Sequence, residues 1–304
     1  MNAVPLLILY CVAVVLASLL GGFIPHYVRL THTRLQTALS FVAGAMLGVG
    51  LLHLIPHAYF LLQSIDKTMG FALLGFLAMF FIERVFHFHH HGAPDDPVAG
   101  EPEGHDHECA HGHHDHQHEH SHSHSHSSES PKISWHAALL GLALHSLLDG
   151  VALAAAVSAD VAEHGTIRWA GLAVFLVVVL HKPFDSLTLG TLMAVAGRSA
   201  KSRHGVNLLY AGSVPLGALI FQLGFLGDAR ADTTWIGAVL ALAAGTFLCI
   251  STSDLLPELQ FHTHDRLRLS AALLLGLALS WSIVLFEEQG HDHSADHPHQ
   301  RNRN

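Results

Sequence analysis

What most restricts this chain is a rhythm of eight long apolar stretches parted by short polar ones, at roughly 4–25, 36–62, 69–88, 134–159, 167–195, 207–227, 234–256 and 269–287. A helix needs about 17–25 mainly apolar residues to cross a bilayer, and each stretch meets that length. Only 13% of the 304 residues are charged, where a soluble domain carries roughly 25%. Lipid cannot hydrogen-bond a backbone, so stretches of this kind span as helices. The expected fold is an all-α polytopic membrane protein with eight transmembrane helices, of which 36–62 is the least sharply divided. The first stretch has no basic residues before it and no clear small-x-small site after it, so it reads as a span and not as a signal peptide. Cys11, Cys109 and Cys249 are odd in number and scattered, and imply no disulfide framework.

Orientation follows from Lys and Arg, which gather in short cytoplasmic loops. Eight spans put Arg29, Arg34, Arg84, Lys132, Arg198, Lys201, Arg203, Arg266 and Arg268 on one side. The other side holds Lys67, Arg168 and Arg230, with Arg301 and Arg303 on the distal tail. The richer side is expected inside, which places both termini outside a plasma or inner membrane.

Histidine is the strongest compositional signal, at 30 residues. Half of them fall between His87 and His126, all but His87 within a segment (89–131) that divides residues 1–88, with three spans, from 132–288, with five. This segment carries Gly, Pro, Ser and acids but almost no large apolar residues, so it is expected to be a disordered cytoplasmic loop. Neutral imidazole is a common zinc ligand, and His111, His113, His114, His116, His118, His120, His122, His124 and His126 form a flexible set able to gather metal. A polar spacer with incidental metal affinity is the plainer reading of the same residues. A second His-rich run lies in the tail, 289–304, on the outer side.

A weaker feature is a repeat at an offset of 201 residues, in which VAGAMLGVGLLHLIPH (42–57) lies over AAGTFLCISTSDLLPE (243–258). Ala43, Gly44, Leu47, Leu54 and Pro56 match Ala244, Gly245, Leu248, Leu255 and Pro257. The two spans run in opposite senses, so the repeat is inverted, as in many secondary transporters. It sets His53 and His57 towards the outer face as an entrance, and Asp254 and Glu258 towards the inner face as an exit.

The fourth and fifth spans contain LHSLLDGVAL (144–153) and LHKPFDSLTL (180–189). Each places His and Asp four residues apart, on one helical face. The motifs are 36 positions apart on adjacent antiparallel helices, so His145, Asp149, His181 and Asp185 are expected at similar depth, as four ligands suited to zinc. Ionisable groups inside a bilayer are costly and mark functional paths. Taken singly, either motif is an ordinary His–Asp hydrogen bond, and a proton relay remains an alternative for the pair. Pro183 is expected to kink its helix and release a carbonyl. Gly150, Gly171, Gly190 and Ala154–Ala156 offer small surfaces for close packing.

These residues resemble the ZIP family of zinc and iron transporters. HSLLDG is similar to that family's HN-x-x-D/E-G, HKPFD to its fifth-helix pattern, and SVPLGAL (213–219) and DLLPE (254–258) to two further segments. The resemblance implies inward metal transport by one helix bundle moving against another, a primary site at His145, Asp149, His181 and Asp185, and a homodimer. Zinc is the expected substrate, with iron, manganese, cobalt or cadmium compatible with the same donors. No enzymatic activity and no nucleic-acid partner are expected.

The chain departs from the pattern at the residues with which some members hold a second ion. Here these are Ser146, Lys182 and Val214, which are poor cation ligands, so a one-metal site is expected. Lys182 would substitute for the missing ion and pair with Asp149 or Asp185 when no metal is bound, easing the repulsion of buried like charges. His57 stands where many members have Glu. A zinc-exporting cation diffusion facilitator also uses paired HxxxD motifs. It typically has six spans, non-adjacent motif helices and a cytoplasmic C-terminal domain, whereas here the motifs are on neighbours and about 17 residues follow the last span. An intramembrane metalloprotease is disfavoured by the absence of HExxH from the eight apolar stretches. A membrane metal sensor is separated from a carrier only by flux.

Overall fold

A computed structural model describes residues 3–27, 31–86, 135–164, 167, 169–224, 233–261 and 266–292. The His-rich segment, including His111–His126, lies outside the described residues. Among the described residues, ten α-helices and one π turn occur in the order α1 (Val4–Tyr27), α2 (His32–Val49), the π turn Gly50–Leu54, α3 (Ile55–Leu62), α4 (Ile65–Phe86), α5 (Trp135–His164), α6 (Leu172–Val195), α7 (Ala200–Ala211), α8 (Ser213–Gly224), α9 (Thr233–Phe261) and α10 (Arg266–Asp292). They make eight crossings long and apolar enough for a bilayer, with α2, the π turn and α3 forming the second and α7 with α8 the sixth.

The sixth crossing starts at Ala200, seven residues before the apolar stretch that announced it. Ser199 accepts a hydrogen bond from the Ser202 N–H and caps the helix, so polar residues such as Lys201 and Arg203 form its first turns. The break at Gly212 precedes Pro215, whose ring and missing N–H disrupt a helix one turn back. In contrast, α6 stays helical through Pro183.

Four pairs of helices pack most closely: α2 with α10, α4 with α9, α5 with α8, and α1 with α6. The first two pairs form one group with α3, and the last two form another with α7. The groups meet chiefly where α5 lies on α9 and α2 on α6. Exchanging the first three crossings for the last three, and the fourth for the fifth, turns α2–α10 into α9–α4 and α5–α8 into α6–α1. That is the inverted repeat, carried through the whole bundle.

Glycines set these contacts. A Cβ on Gly44 would meet the backbone of Leu273, and one on Gly276 the backbone of Phe41, where α2 crosses α10. The same holds for Gly75 against Leu242 and Gly245 against Ala72, where α4 crosses α9. Gly44 with Gly245 and Gly75 with Gly276 are both separated by the offset of 201, so the second pair extends the repeat beyond the residues that revealed it. Without a hydrophobic drive between helices in lipid, close approach at small residues supplies the packing energy. Gly150 meets Val214 and Gly217 meets Leu147 in the α5–α8 crossing, but among the described residues nothing stands within 4 Å of a Cβ on Gly190, which makes no close helix contact with them.

The outer surface is apolar. On α1 it presents Ile8, Leu9, Val12, Leu16 and Leu20, on α4 Leu73, Leu74 and Phe81, and on α10 Leu274, Leu275 and Trp281. Such a belt is far larger than water-soluble monomers expose, and it faces lipid in a multi-pass membrane protein. Polar residues turn inward instead, among them Gln36, Ser146, Asp149, His181 and Lys182.

Candidate metal centre

The two HxxxD motifs occupy the middle turns of α5 and α6, which follow each other in the chain and run antiparallel. Their register is fastened at one end, where Asp160 Oδ2 accepts the Gly171 N–H at 2.6 Å. Gly171 has φ +70°, a left-handed conformation that an L side chain would strain, and it starts α6.

His145, Asp149 and His181 are buried and Asp185 nearly so. His145 Nε2 lies 3.4 Å from Asp149 Oδ2 and 3.7 Å from Asp185 Oδ2. His181 Nε2 lies 3.2 Å and 3.9 Å from the same two oxygens. The imidazole centroids are 5.4 Å apart. His145, His181 and Asp185 each offer a ligand atom within 4.8 Å of the others, and Asp149 touches both imidazoles.

Hydrogen bonding around His181 fixes its chemistry. Its Nδ1 is 2.8 Å from the Val177 carbonyl, which can only accept, so Nδ1 carries the proton. In the neutral ring, Nε2 then turns its lone pair towards Asp149 Oδ2. A lone pair facing carboxylate oxygens calls for a cation, and a backbone carbonyl behind the ring is a common support for a metal-ligating histidine. His145 differs: its Nδ1 has no hydrogen-bond partner among the described residues.

Lys182 supplies the cation that the structure contains. Its Nζ is 2.6 Å from Asp149 Oδ2, 2.9 Å from Asp185 Oδ2 and 2.9 Å from Ser146 Oγ, with the side chain 1% exposed. Ser146 in turn donates to the Tyr210 hydroxyl at 2.7 Å, and that hydroxyl donates to Asp185 Oδ2 at 3.0 Å. The ring Lys182–Ser146–Tyr210–Asp185 ties α5, α6 and α7 together. Tyr210 escaped sequence reasoning because no spacing links it to either motif. Val214 is buried, with its carbonyl at the Gly150 crossing.

Two carboxylates against one ammonium leave a single negative charge, and a divalent ion would reverse its sign. The site therefore offers donors to an ion while the ammonium competes for the same oxygens. That balance suits reversible binding better than permanent capture.

Of the other expected residues, His53 lies in the π turn and His57 in α3, their rings 4.4 Å apart. Across from them on α5 stand Asp160 and Glu163, which the sequence did not single out. Asp254 and Glu258 belong to the backbone of α9, and their side chains lie outside the described set.

A family profile described as ZIP zinc transporter matches residues 4–283. Among similar proteins, Zinc transporter ZIP9 of Xenopus tropicalis is 26% identical over 94% of this chain and 97% of its own. Zinc transporter 3 of Arabidopsis thaliana is 26% identical over 91% of this chain and 81% of its own.

Proposed function

Because the chain belongs to the ZIP zinc transporter family, we propose that it carries zinc inward across the cell membrane, plasma or inner, through His145, Asp149, His181 and Asp185. One observation carries the reading: two i,i+4 His–Asp pairs on consecutive helices converge, buried, at mid-span of a membrane bundle. Two nitrogens and two oxygens form a borderline donor set that zinc accepts. Iron, manganese, cobalt and cadmium are secondary substrates by the same chemistry. Ser146 and Lys182 stand where a second ion would need ligands, so the centre takes one ion at a time.

Direction rests on the Lys and Arg bias, which sets both termini outside and residues 89–131 in the cytoplasm. The His-rich loop then receives metal on the inner side, and the tail at 289–304 meets it on the outer. The test is zinc flux in proteoliposomes reconstituted in one orientation, with a fluorescent indicator trapped in the lumen. Saturable flux from the terminus-bearing face to the loop-bearing face supports the reading. Zinc moving only the other way identifies an exporter, and bound zinc without flux identifies a sensor.

A further inference from the structure

The second crossing is irregular where it carries His53. Pro56 has no N–H, and its ring crowds the carbonyl one turn back. The chain accommodates it with the π turn Gly50–Leu54, in which Ile55 donates to Gly50 five residues earlier. Single π turns recur at functional sites because they re-aim side chains. Here the turn directs His53, 2% exposed, towards α5, and His57 follows on the same side.

Across that gap, His57 Nδ1 is 2.9 Å from Glu163 Oε2 and 3.6 Å from Asp160 Oδ1. One ligand atom each from His53, His57 and Asp160 lies within 4.8 Å of the others. Asp160 is held in place, since its Oδ2 takes the Gly171 N–H and its Oδ1 remains towards His57. Two imidazoles and a fixed carboxylate are the donors expected of a transition-metal site, and Glu163 stands near as a fourth.

We propose that His53, His57 and Asp160 form a second divalent transition-metal site, distinct from the central four. Asp149 and Asp160 are both on α5, eleven positions apart, which at the helical rise is about 16 Å, so one ion cannot reach both. The new site is shared between the two helix groups: its histidines belong to the group of α2, α3, α4, α9 and α10, and its carboxylates to the group of α5. A shift of one group along the other opens this site while the central one, built wholly on α5 and α6, travels intact. Metal held here favours the arrangement described above and is released as the groups slide. Only the assignment of this end to the outer side rests on the proposed direction of transport.

The test is to locate cadmium by anomalous scattering in crystals of the full chain. Peaks are expected both among His53, His57 and Asp160 and at His145 and Asp185, with His57→Ala losing the first alone. A wild-type peak only at the centre overturns the second site and leaves the transport reading standing. A peak only at the second site supports this inference and removes the central one, and no peak at either overturns both. In proteoliposomes Asp160→Asn, which keeps an oxygen for the Gly171 N–H, is expected to raise the half-saturating zinc concentration about tenfold. An unchanged value overturns the inference.

Discussion

Lys182 is the residue on which the chemistry of the centre turns. Its ammonium contacts Asp149, Asp185 and Ser146 at 2.6–2.9 Å, and an ion bound as proposed takes the same carboxylate oxygens. Removing one partner of a buried ion pair costs about 3–5 kcal/mol because the other charge stays behind. Lys182→Met therefore has two expected effects. Without zinc the protein unfolds at lower temperature, since two carboxylates face each other uncompensated. With zinc the loss is largely recovered, and half-saturation falls about tenfold, equivalent to about 1.4 kcal/mol of removed competition. Thermal unfolding in detergent, with and without zinc, reads the first effect, and liposome flux reads the second. Equal unfolding temperatures and an unchanged half-saturation would mean that Lys182 only fills space.

Among the elements, the crossings depend on glycine. Gly245→Val on α9 drives a side chain into the Ala72 backbone on α4 and is expected to cost about 3 kcal/mol or more, as overpacking between rigid helices does. Gly190→Ala on α6 meets nothing and is expected to change stability by about 1 kcal/mol or less, on the stabilising side. Thermal unfolding of the two variants side by side checks the contrast. These cases also show how far the sequence could be read. Eight crossings were legible because apolar length is a one-dimensional property, and the proximity of the two His–Asp pairs because i,i+4 spacing places His and Asp on one face. The polar start of α7 carries no apolar signal, because it begins at the Ser199 cap and not at a hydrophobic residue. Tyr210 lies 64 positions from the Ser146 it bonds, and Asp160 and Glu163 face His57 across a gap that only the packing of α3 and α5 against α9 creates. Contacts of that kind have no local spacing to betray them.

At the scale of the molecule, two helix groups, each made of two pairs that the inverted repeat interchanges, meet along α5, α6, α2 and α9, and the centre rides wholly on one of them. The resemblance implied a carrier in which one bundle moves against the other, and this division supplies a natural boundary for such motion. On the proposed reading the His-rich segment gathers zinc and forms no part of the pathway. Deleting 92–130 is accordingly expected to leave saturable flux, with altered kinetics, and loss of all flux from a folded deletion variant would assign the loop a transport role. Transport as proposed depends on His145, Asp149, His181 and Asp185. The direct measurement is zinc flux into oriented proteoliposomes for wild type, His145→Ala and Asp185→Ala, each confirmed to be folded. Saturable flux in wild type that both substitutions reduce by about 100-fold or more is the predicted result, since each removes a proposed metal ligand. Flux that survives both substitutions would place the pathway elsewhere and contradict the account.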